Sequence, residues 1–166
     1  MKRSAVVLAS VLALAGAAAN AATFNPWGVH DSFESFSFSY PTQTTFEDRI
    51  NFTLSGASDL WSVAVSNEAP LVLNITGGSL ELFRASDNAA VFNSPLTFDS
   101  TSTSVLTSSL AAGDYYYVVK GAVTGSVAGT YTITSVVTAV PEPETYALLL
   151  GGLGVIGFVA RRRKAD

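Results

Sequence analysis

Few residues in this chain have side chains suited to acid–base or nucleophilic catalysis. The 166 residues include a single histidine, His30, and no cysteine. A Ser-His-Asp triad would need that histidine to carry the proton, and a zinc site would have to complete its ligands with carboxylates, which is a poor set. No glycine-rich loop of the phosphate-binding type is present. We therefore predict that His30 is a loop residue, that the protein is not an enzyme and that it uses no cofactor.

The carboxylates are scattered and do not form a pair that could share acid–base work. Glu47 and Asp48 are adjacent in a segment with strand-like alternation, so their side chains would point to opposite faces. Asp59, Asp99 and the Asp87-Asn88 pair are oxygen donors of the kind that calcium prefers. No loop gathers enough of them to predict a calcium site, so turn capping is their predicted role and the question of a metal stays open.

Asp48 is the carboxylate that is hardest to explain as a surface residue. It has the same parity as Phe46, Ile50 and Phe52, so an ideal strand would point it at the core. A buried carboxylate is costly unless it is paired or hydrogen-bonded. We predict that Asp48 lies near the start of a strand, where it accepts hydrogen bonds from backbone N–H groups and ties down the preceding loop. A cation site is the alternative.

The elements that must position these side chains are short strands. Residues 22–140 contain about eight or nine short runs of alternating type, with turn residues at roughly ten-residue spacing, such as Phe36–Tyr40, Phe46–Leu54 and Trp61–Val65. Two apolar runs around Gly77-Gly78 predict a tight hairpin. No part of this stretch has a convincing helical period. We predict an all-β domain, a single sandwich or jelly roll of about eight strands.

The composition of this domain limits its partners. Residues 22–140 include three basic and ten acidic residues, which gives a net charge of −7. An acidic, sparsely charged surface argues against binding to nucleic acid. The run Tyr115–Tyr117 could stack on sugar rings if its tyrosines were exposed, although packing within the sheets is their predicted role. The segments Leu110–Gly121 and Gly129–Ile133 resemble the closing strands of small secreted sandwiches such as the bacterial pre-peptidase C-terminal domain, which implies that fold class alone.

The last 26 residues, 141–166, have a layout unlike that of the domain. Pro141, Glu142 and Pro143 form a stiff, extended tripeptide, because proline fixes its own φ and disfavours helix at the preceding residue. A helix is predicted from about Glu144, with residues 145–160 as a transmembrane helix. Its apolar run 146–160 covers roughly 22 Å at about 1.5 Å per residue, against a hydrocarbon core of about 30 Å. A basic stop places the far end in the cytoplasm; it consists of Arg161, Arg162, Arg163 and Lys164.

This tail resembles the PEP-CTERM sorting tail. The matching strings are Val140–Glu144, Ala147–Gly154 and Arg161–Arg163. The resemblance implies export across the inner membrane of a Gram-negative bacterium and recognition by an exosortase in that membrane. It also implies that the C-terminal helix holds the protein in the membrane until cleavage at the Pro-Glu-Pro motif, after which the product lies at the cell surface or outside the cell. A plain C-terminal membrane anchor is the alternative.

A shorter resemblance lies inside the domain. The string Phe46-Glu47-Asp48-Arg49-Ile50 is similar to the Phe-x-Asp-x-Phe element of one group of PEP-CTERM proteins. It implies membership of that FxDxF-type group, and Ile50 in place of the second phenylalanine is a departure from the pattern.

The first 21 residues have the layout of a Sec-type signal peptide. Lys2 and Arg3 form a basic region, Ala5–Ala19 is a run of small and apolar residues, and Ala19-Asn20-Ala21 offers an Ala-x-Ala cleavage site. We predict cleavage after Ala21, with Ala19 as the alternative. The chain then divides into a signal peptide (1–21), a β domain (22–140) and a sorting tail (141–166).

These observations predict a non-enzymatic protein that is exported, sorted and processed by an exosortase, and that remains at the surface or in the extracellular matrix. The alternative is a secreted carbohydrate-binding module associated with extracellular polysaccharide. An exposed row of aromatic side chains across one sheet face would favour that module.

Overall fold

The two-residue alternation of the sequence produces nine strands among the residues that the structure describes. The structure is a computed structural model, and it describes residues 20–67, 69, 72–99, 105–141 and 143–163. The elements are β1 (Asn20–Val29), β2 (Phe33–Pro41), β3 (Thr45–Leu54), β4 (Ser58–Asn67), β5 (Ile75–Arg84), β6 (Leu96–Phe98), β7 (Val105–Leu110), β8 (Gly113–Val123), β9 (Ala128–Ala139) and α1 (Pro143–Arg163). The prediction of an all-β domain is confirmed.

The strands form two sheets that pack face to face. The five-stranded sheet has the order β1-β3-β8-β5-β6, and the four-stranded sheet has the order β2-β9-β4-β7. β1 pairs with β3 in parallel, and the other strand pairs of the described residues are antiparallel. Large side chains from both sheets meet in one core; the rings of Phe46 on β3 and Tyr131 on β9 stack with centroids 5.2 Å apart. The architecture is therefore a sandwich.

β4 turns its more apolar face away from this core. Its inward side chains are all buried and comprise Leu60, Ser62, Ala64 and Ser66. Its outward side chains, which are exposed or half-buried, include Trp61, Val63 and Val65. The alternation of the strand is therefore as predicted, but its hydrophobic face is on the outside of the sandwich.

The N-terminal strand was not predicted. β1 begins at Asn20, so it overlaps the predicted cleavage site after Ala21 by two residues. Asn20 and Ala21 are already in register with Phe46 and Glu47 of β3. Cleavage after Ala21 would remove these pairs, whereas cleavage after Ala19 would leave the strand whole. Residues 1–19, which carry the rest of the predicted signal peptide, lie outside the described residues.

The Gly77-Gly78 hairpin prediction is wrong, because both glycines lie inside β5. The pairing of β5 with β8 shifts register between Thr76 and Ser79, and Gly77 supports this irregularity with a φ of 62°. A Cβ at Gly78 would lie 2.5 Å from the carbonyl oxygen of Phe98, so the close approach of β6 requires a glycine there. Glycine marks a bulge here, not a turn.

α1 begins at Pro143, one residue before the predicted start. A proline suits the first position of a helix because its missing N–H would have no intrahelical partner. The helix runs for 21 residues and has Glu144 in its first turn. Among the described residues, no helix combines the length and the apolar character needed to cross a membrane.

Candidate functional site

Asp48 lies between the two sheets and is held there by two tyrosines. Its carboxylate is on β3 and is fully buried. Tyr40 on β2 donates its hydroxyl to the carboxylate over 2.5 Å, and Tyr131 on β9 donates to Oδ2 over the same distance. The predicted inward orientation is confirmed. The partners differ from the prediction, because hydroxyls of the opposite sheet replace the expected backbone N–H groups.

The environment of Asp48 changes its acidity. Burial raises the pKa of Asp48 to about 6, and the hydrogen bonds from Tyr131 and Tyr40 oppose this shift. Burial also raises the pKa of both phenols, and the neighbouring carboxylate raises them further. At neutral pH the carboxylate is therefore ionised and both hydroxyls keep their protons. The cluster holds one negative charge in the core. The Asp48 carboxylate has no solvent-exposed surface through which a substrate could reach it.

A second polar cluster surrounds the single histidine. The Nε2 atom of His30 lies 2.8 Å from the hydroxyl of Ser135, which lies 3.0 Å from the hydroxyls of both Ser62 and Tyr117. Nδ1 lies 2.5 Å from the carbonyl oxygen of Asp31, and since a carbonyl can only accept, Nδ1 carries the proton. Nε2 therefore accepts a hydrogen bond from Ser135.

This second cluster has the atoms of a nucleophile and a base without the access that catalysis needs. Ser135 is fully buried, and Trp27 covers the ring of His30 at a centroid distance of 5.2 Å. Burial lowers the pKa of His30, which keeps the ring neutral. His30 follows the end of β1 and is outside any strand, as predicted, but its burial was not predicted. The cluster joins the β1–β2 connection to β4, β8 and β9.

The other carboxylates serve local structure. Asp87 accepts a hydrogen bond from the backbone N–H of Ala89 and forms an ion pair with Arg84, so it caps a turn as predicted. The carboxylate of Asp59 accepts a hydrogen bond from Ser109, and Glu47 lies 3.4 Å from Lys120. In the described part of the chain, no three His, Asp or Glu side chains gather in a way that could hold a metal ion.

The three consecutive tyrosines of β8 are all buried. Tyr115 and Tyr117 belong to the core. Tyr116 is on the outer face of the five-stranded sheet, where the guanidinium of Arg49 lies 3.5 Å above its ring and Phe83 stacks at 5.2 Å. Its hydroxyl donates to Asn88. These tyrosines therefore do not form an exposed aromatic row.

An aromatic row occurs instead on the outer face of the four-stranded sheet. Phe33 on β2 and Trp61 on β4 are both in register with Val136 on β9. Phe33 is 56% exposed and Trp61 is 39% exposed. Strands two apart lie about 10 Å from each other, so the two rings flank one half-buried valine. The sequence offers no signal that locates this row, because the parity of Trp61 with Val63 and Val65 would place it in the core.

Hydroxyl groups continue the same face beside the aromatic row. Ser35 pairs with Thr134 across β2 and β9 over 3.1 Å, and Ser37 pairs with Thr132 over 2.8 Å. Each pair joins two hydroxyl groups on the outer face of the sheet, and a hydroxyl can both donate and accept hydrogen bonds. Apart from Asp59 at its end, the described part of this face has no charged side chain. The face combines stacking groups with uncharged hydrogen-bonding groups.

A depression in the described surface lies at one end of the sandwich. It has a volume of about 610 Å³ and is lined by Thr42, Gln43, Asn74, Thr124, Gly125 and Ser126. These residues come from the β2–β3, β4–β5 and β8–β9 connections. The lining has amide and hydroxyl groups but no charged side chain.

The predicted sorting residues follow the last strand without a linker. The backbone N–H of Val140, one residue past β9, donates to the carbonyl oxygen of Ala57 over 2.9 Å. Pro141 is exposed, and Pro143 begins α1. Of the basic stop, Arg161 and Arg162 are exposed and Arg163 ends the helix. Glu142 and Lys164 lie outside the described residues.

α1 presents apolar side chains on all sides. Six of them are more than half exposed, namely Leu148, Leu149, Leu150, Leu153, Val155 and Ile156. Consecutive helical residues are about 100° apart, so an exposed run such as 148–150 cannot belong to a single stripe. No side of this helix resembles the polar surface of a solvated helix over that stretch.

Comparison with known proteins finds a match for the tail and structural likenesses for the domain. Residues 139–164 match the family model described as the PEP-CTERM protein-sorting motif. No curated protein matches the chain. The pre-peptidase C-terminal domain of a collagenase from Bacillus anthracis is similar in structure, with a TM-score of 0.44 and 16% identity over 74% of this chain and 99% of that one. PliG of Aeromonas hydrophila, a periplasmic inhibitor of g-type lysozyme, is similar with a TM-score of 0.42 and 11% identity over 73% of this chain and 100% of that one.

Proposed function

Because the chain carries a PEP-CTERM protein-sorting motif at residues 139–164, we propose that it is an exported, non-enzymatic surface or matrix protein whose tail is processed by an exosortase of the inner membrane. The observation that carries this proposal is the order of the tail. A folded domain ends at Val140, a proline-rich tripeptide follows, and an apolar helix ends in arginines. Phe46 and Asp48 favour the FxDxF-type group as its subgroup, and Ile50 departs from the pattern of that group.

The exposed apolar side chains of α1 support a membrane role for the helix before processing. A helix with apolar groups on all sides is stabilised by an apolar environment and not by water. The arginines at its end favour the cytoplasmic side of the membrane. We propose that α1 holds the precursor in the inner membrane, with the sandwich on the outside and the tripeptide between them.

In this proposal the chain is the substrate, and its residues present the cleavage site. Pro141 and Pro143 restrict the backbone to extended conformations ahead of the helix, which suits an enzyme cleft that binds extended chain. The exosortase supplies the nucleophile that attacks near residues 141–143. The buried positions of Ser135 and Asp48 agree with a domain that contributes no catalytic group of its own.

Replacing Pro141, Glu142 and Pro143 with alanines tests this function. The change leaves the apolar helix and the basic stop intact, so a plain anchor should behave as before. An exosortase substrate should instead accumulate as a membrane-bound precursor that retains the tail. Cell fractionation and intact-mass measurement in cells that carry an exosortase distinguish the two results. Glu144→Ala, just outside the tripeptide, is the matched control and should be processed normally. An identical full-length, membrane-bound band for wild type and triple variant would support the anchor.

The aromatic row on the four-stranded sheet favours a second function for the same exported domain. We propose that this face binds an uncharged polysaccharide, with Phe33 and Trp61 stacking on sugar rings. The hydroxyls of Ser35 and Thr134, which bond each other on this face, would hydrogen-bond sugar hydroxyls beside them. A face with almost no charge fits a neutral chain better than an anionic one, because the domain as a whole is acidic.

Trp61→Ser should weaken binding to a neutral glucan such as dextran by about fivefold or more, since a stacked ring contributes about 1 kcal/mol beyond its buried area. Titration calorimetry measures the affinity, and tryptophan emission reports on the site because the other tryptophan, Trp27, is buried. Val127→Ser, an exposed apolar residue outside this face, is the control. Sedimentation that reveals self-association through this face, without glucan binding, would contradict the proposal.

A further inference from the structure

The sorting motif begins inside the folded domain. The matched residues start at Ala139, which is the last residue of β9 and is in register with Ser58 of β4. Val140 is bound just ahead of β4, through its N–H to the carbonyl oxygen of Ala57 over 2.9 Å. Three residues at about 3.3–3.6 Å each, roughly 10 Å, separate Val140 from Pro143 at full extension. A peptidase cleft that surrounds the chain on both sides of the tripeptide would therefore overlap the folded residues at the end of β9.

The end of β9 is the most exposed part of that strand. Phe33, at the start of β2, is opposite Val136, and the N–H of Val137 donates to Ser32. Past that point β4 is the neighbouring strand in the described structure. Thr138 and Ala139 are exposed, whereas Val137 packs against the core. Local opening of residues 138–140 should therefore cost little, and Val137 should stop it from spreading.

We propose that Thr138–Val140 is a latch segment that must leave β4 before the tripeptide can be processed. The inference rests on the proposed exosortase function and adds a structural condition to it. Opening releases the pairs with Ala57, Ser58 and Asp59 and extends the accessible chain before Pro141. After cleavage the segment returns to β4, so the product keeps the complete sheet. The latch holds the processing site close to a folded domain and lets the enzyme act on it only when the strand end is open.

A disulfide across the latch tests the proposal. Ser58 and Ala139 face each other in an antiparallel pair, where Cα atoms are about 4.5–5.5 Å apart, within the range of about 4.4–6.8 Å that a disulfide spans. The chain has no cysteine, so the Ser58→Cys/Ala139→Cys variant can form this bond alone. In cells that carry an exosortase, the oxidised variant should lose processing and accumulate as precursor. Reductant added to membranes from those cells should restore it.

Two further variants separate access from misfolding. Ser79→Cys/Thr97→Cys places the same bond between β5 and β6, in the other sheet and away from the latch, and should be processed like wild type. Four Gly-Ser residues inserted between Val140 and Pro141 of the locked variant add about 13 Å of chain and should restore processing without reductant. Normal processing of the oxidised latch variant would overturn the proposal, and so would failure of the spacer to restore processing. If wild type itself is not processed, the exosortase function is wrong, and not the latch alone.

Discussion

The free energy of unfolding of Asp48→Asn is expected to rise relative to that of wild type by about 2 kcal/mol as the pH increases from about 4 to 7. The pKa of Asp48 is 3.8 in an ordinary setting and about 6 in the fold. The folded state therefore binds this proton more tightly than the unfolded chain does. The stability that the group contributes is greatest below pH 3.8 and falls as the pH rises to about 6, because ionisation puts a charge in the core. Asparagine has no such charge at any pH.

Urea unfolding of both proteins at a series of pH values measures this difference. His30 titrates in an overlapping range, and its lowered pKa means that its contribution is lost as the pH falls below 6.5. That term occurs in both proteins and cancels in the difference. Glu47→Gln, which changes the exposed neighbour of Asp48, should alter stability by no more than about 0.5 kcal/mol. A difference between Asp48→Asn and wild type that stays constant from pH 4 to 7 would contradict the buried-charge interpretation.

Gly125→Ala is expected to destabilise the domain by about 3 kcal/mol or more. Its Cβ would lie within 2.7 Å of three backbone atoms, the oxygens of Ala128 and Val72 and the nitrogen of Asn74. Side chains can move away from a new methyl group, but these atoms belong to the connections that hold the end of the sandwich. The N–H of Gly125 donates to the Asn74 carbonyl oxygen, and the hydroxyl of Thr42 donates to the Gly125 carbonyl oxygen. Relief of the clash would break these bonds.

Gly56→Ala is the matched control for Gly125→Ala. A Cβ at Gly56 would meet no atom within 4 Å, and neither glycine has a positive φ. The control should therefore stay within about 0.5 kcal/mol of wild type in urea unfolding. Equal stabilities for the two alanine variants would mean that the β8–β9 connection can move without cost, and that its packing does not hold the three connections together.

Strand parity predicted the inward position of Asp48 but could not identify its partners. Parity is a local property, and Phe46, Ile50 and Phe52 were enough to fix the face of β3. Tyr40 and Tyr131 reach the carboxylate only because β2 and β9 pack opposite β3, and that arrangement depends on sheet order. The alternation of each strand predicts that both tyrosines point inward. Many different arrangements of nine strands are compatible with that orientation, so it does not show which residues they contact.

Hydrophobicity failed as a guide at β4 and β1 for separate reasons. Trp61, Val63 and Val65 form the more apolar face, yet Ser62 is the residue buried, because its hydroxyl meets Tyr117 in the core. β1 is an edge strand whose parallel pairing with β3 leaves no turn or hairpin signature in the sequence. The sorting motif at residues 139–164 was predictable because a motif depends on the order of residues along the chain and not on tertiary contacts.

The strand order also sets the sequence of events in folding. β8 lies between β3 and β5, and β9 lies between β2 and β4, so the strand that bridges each sheet comes from the last part of the domain. A chain that has emerged only as far as Leu110 has β1 beside β3, β5 beside β6, β4 beside β7, and β2 with no partner strand. Neither sheet can be completed until β8 and β9 are available to pair. Pairings so distant along the chain are slow to form, so we expect both sheets to stay incomplete until the last two strands of the domain are available.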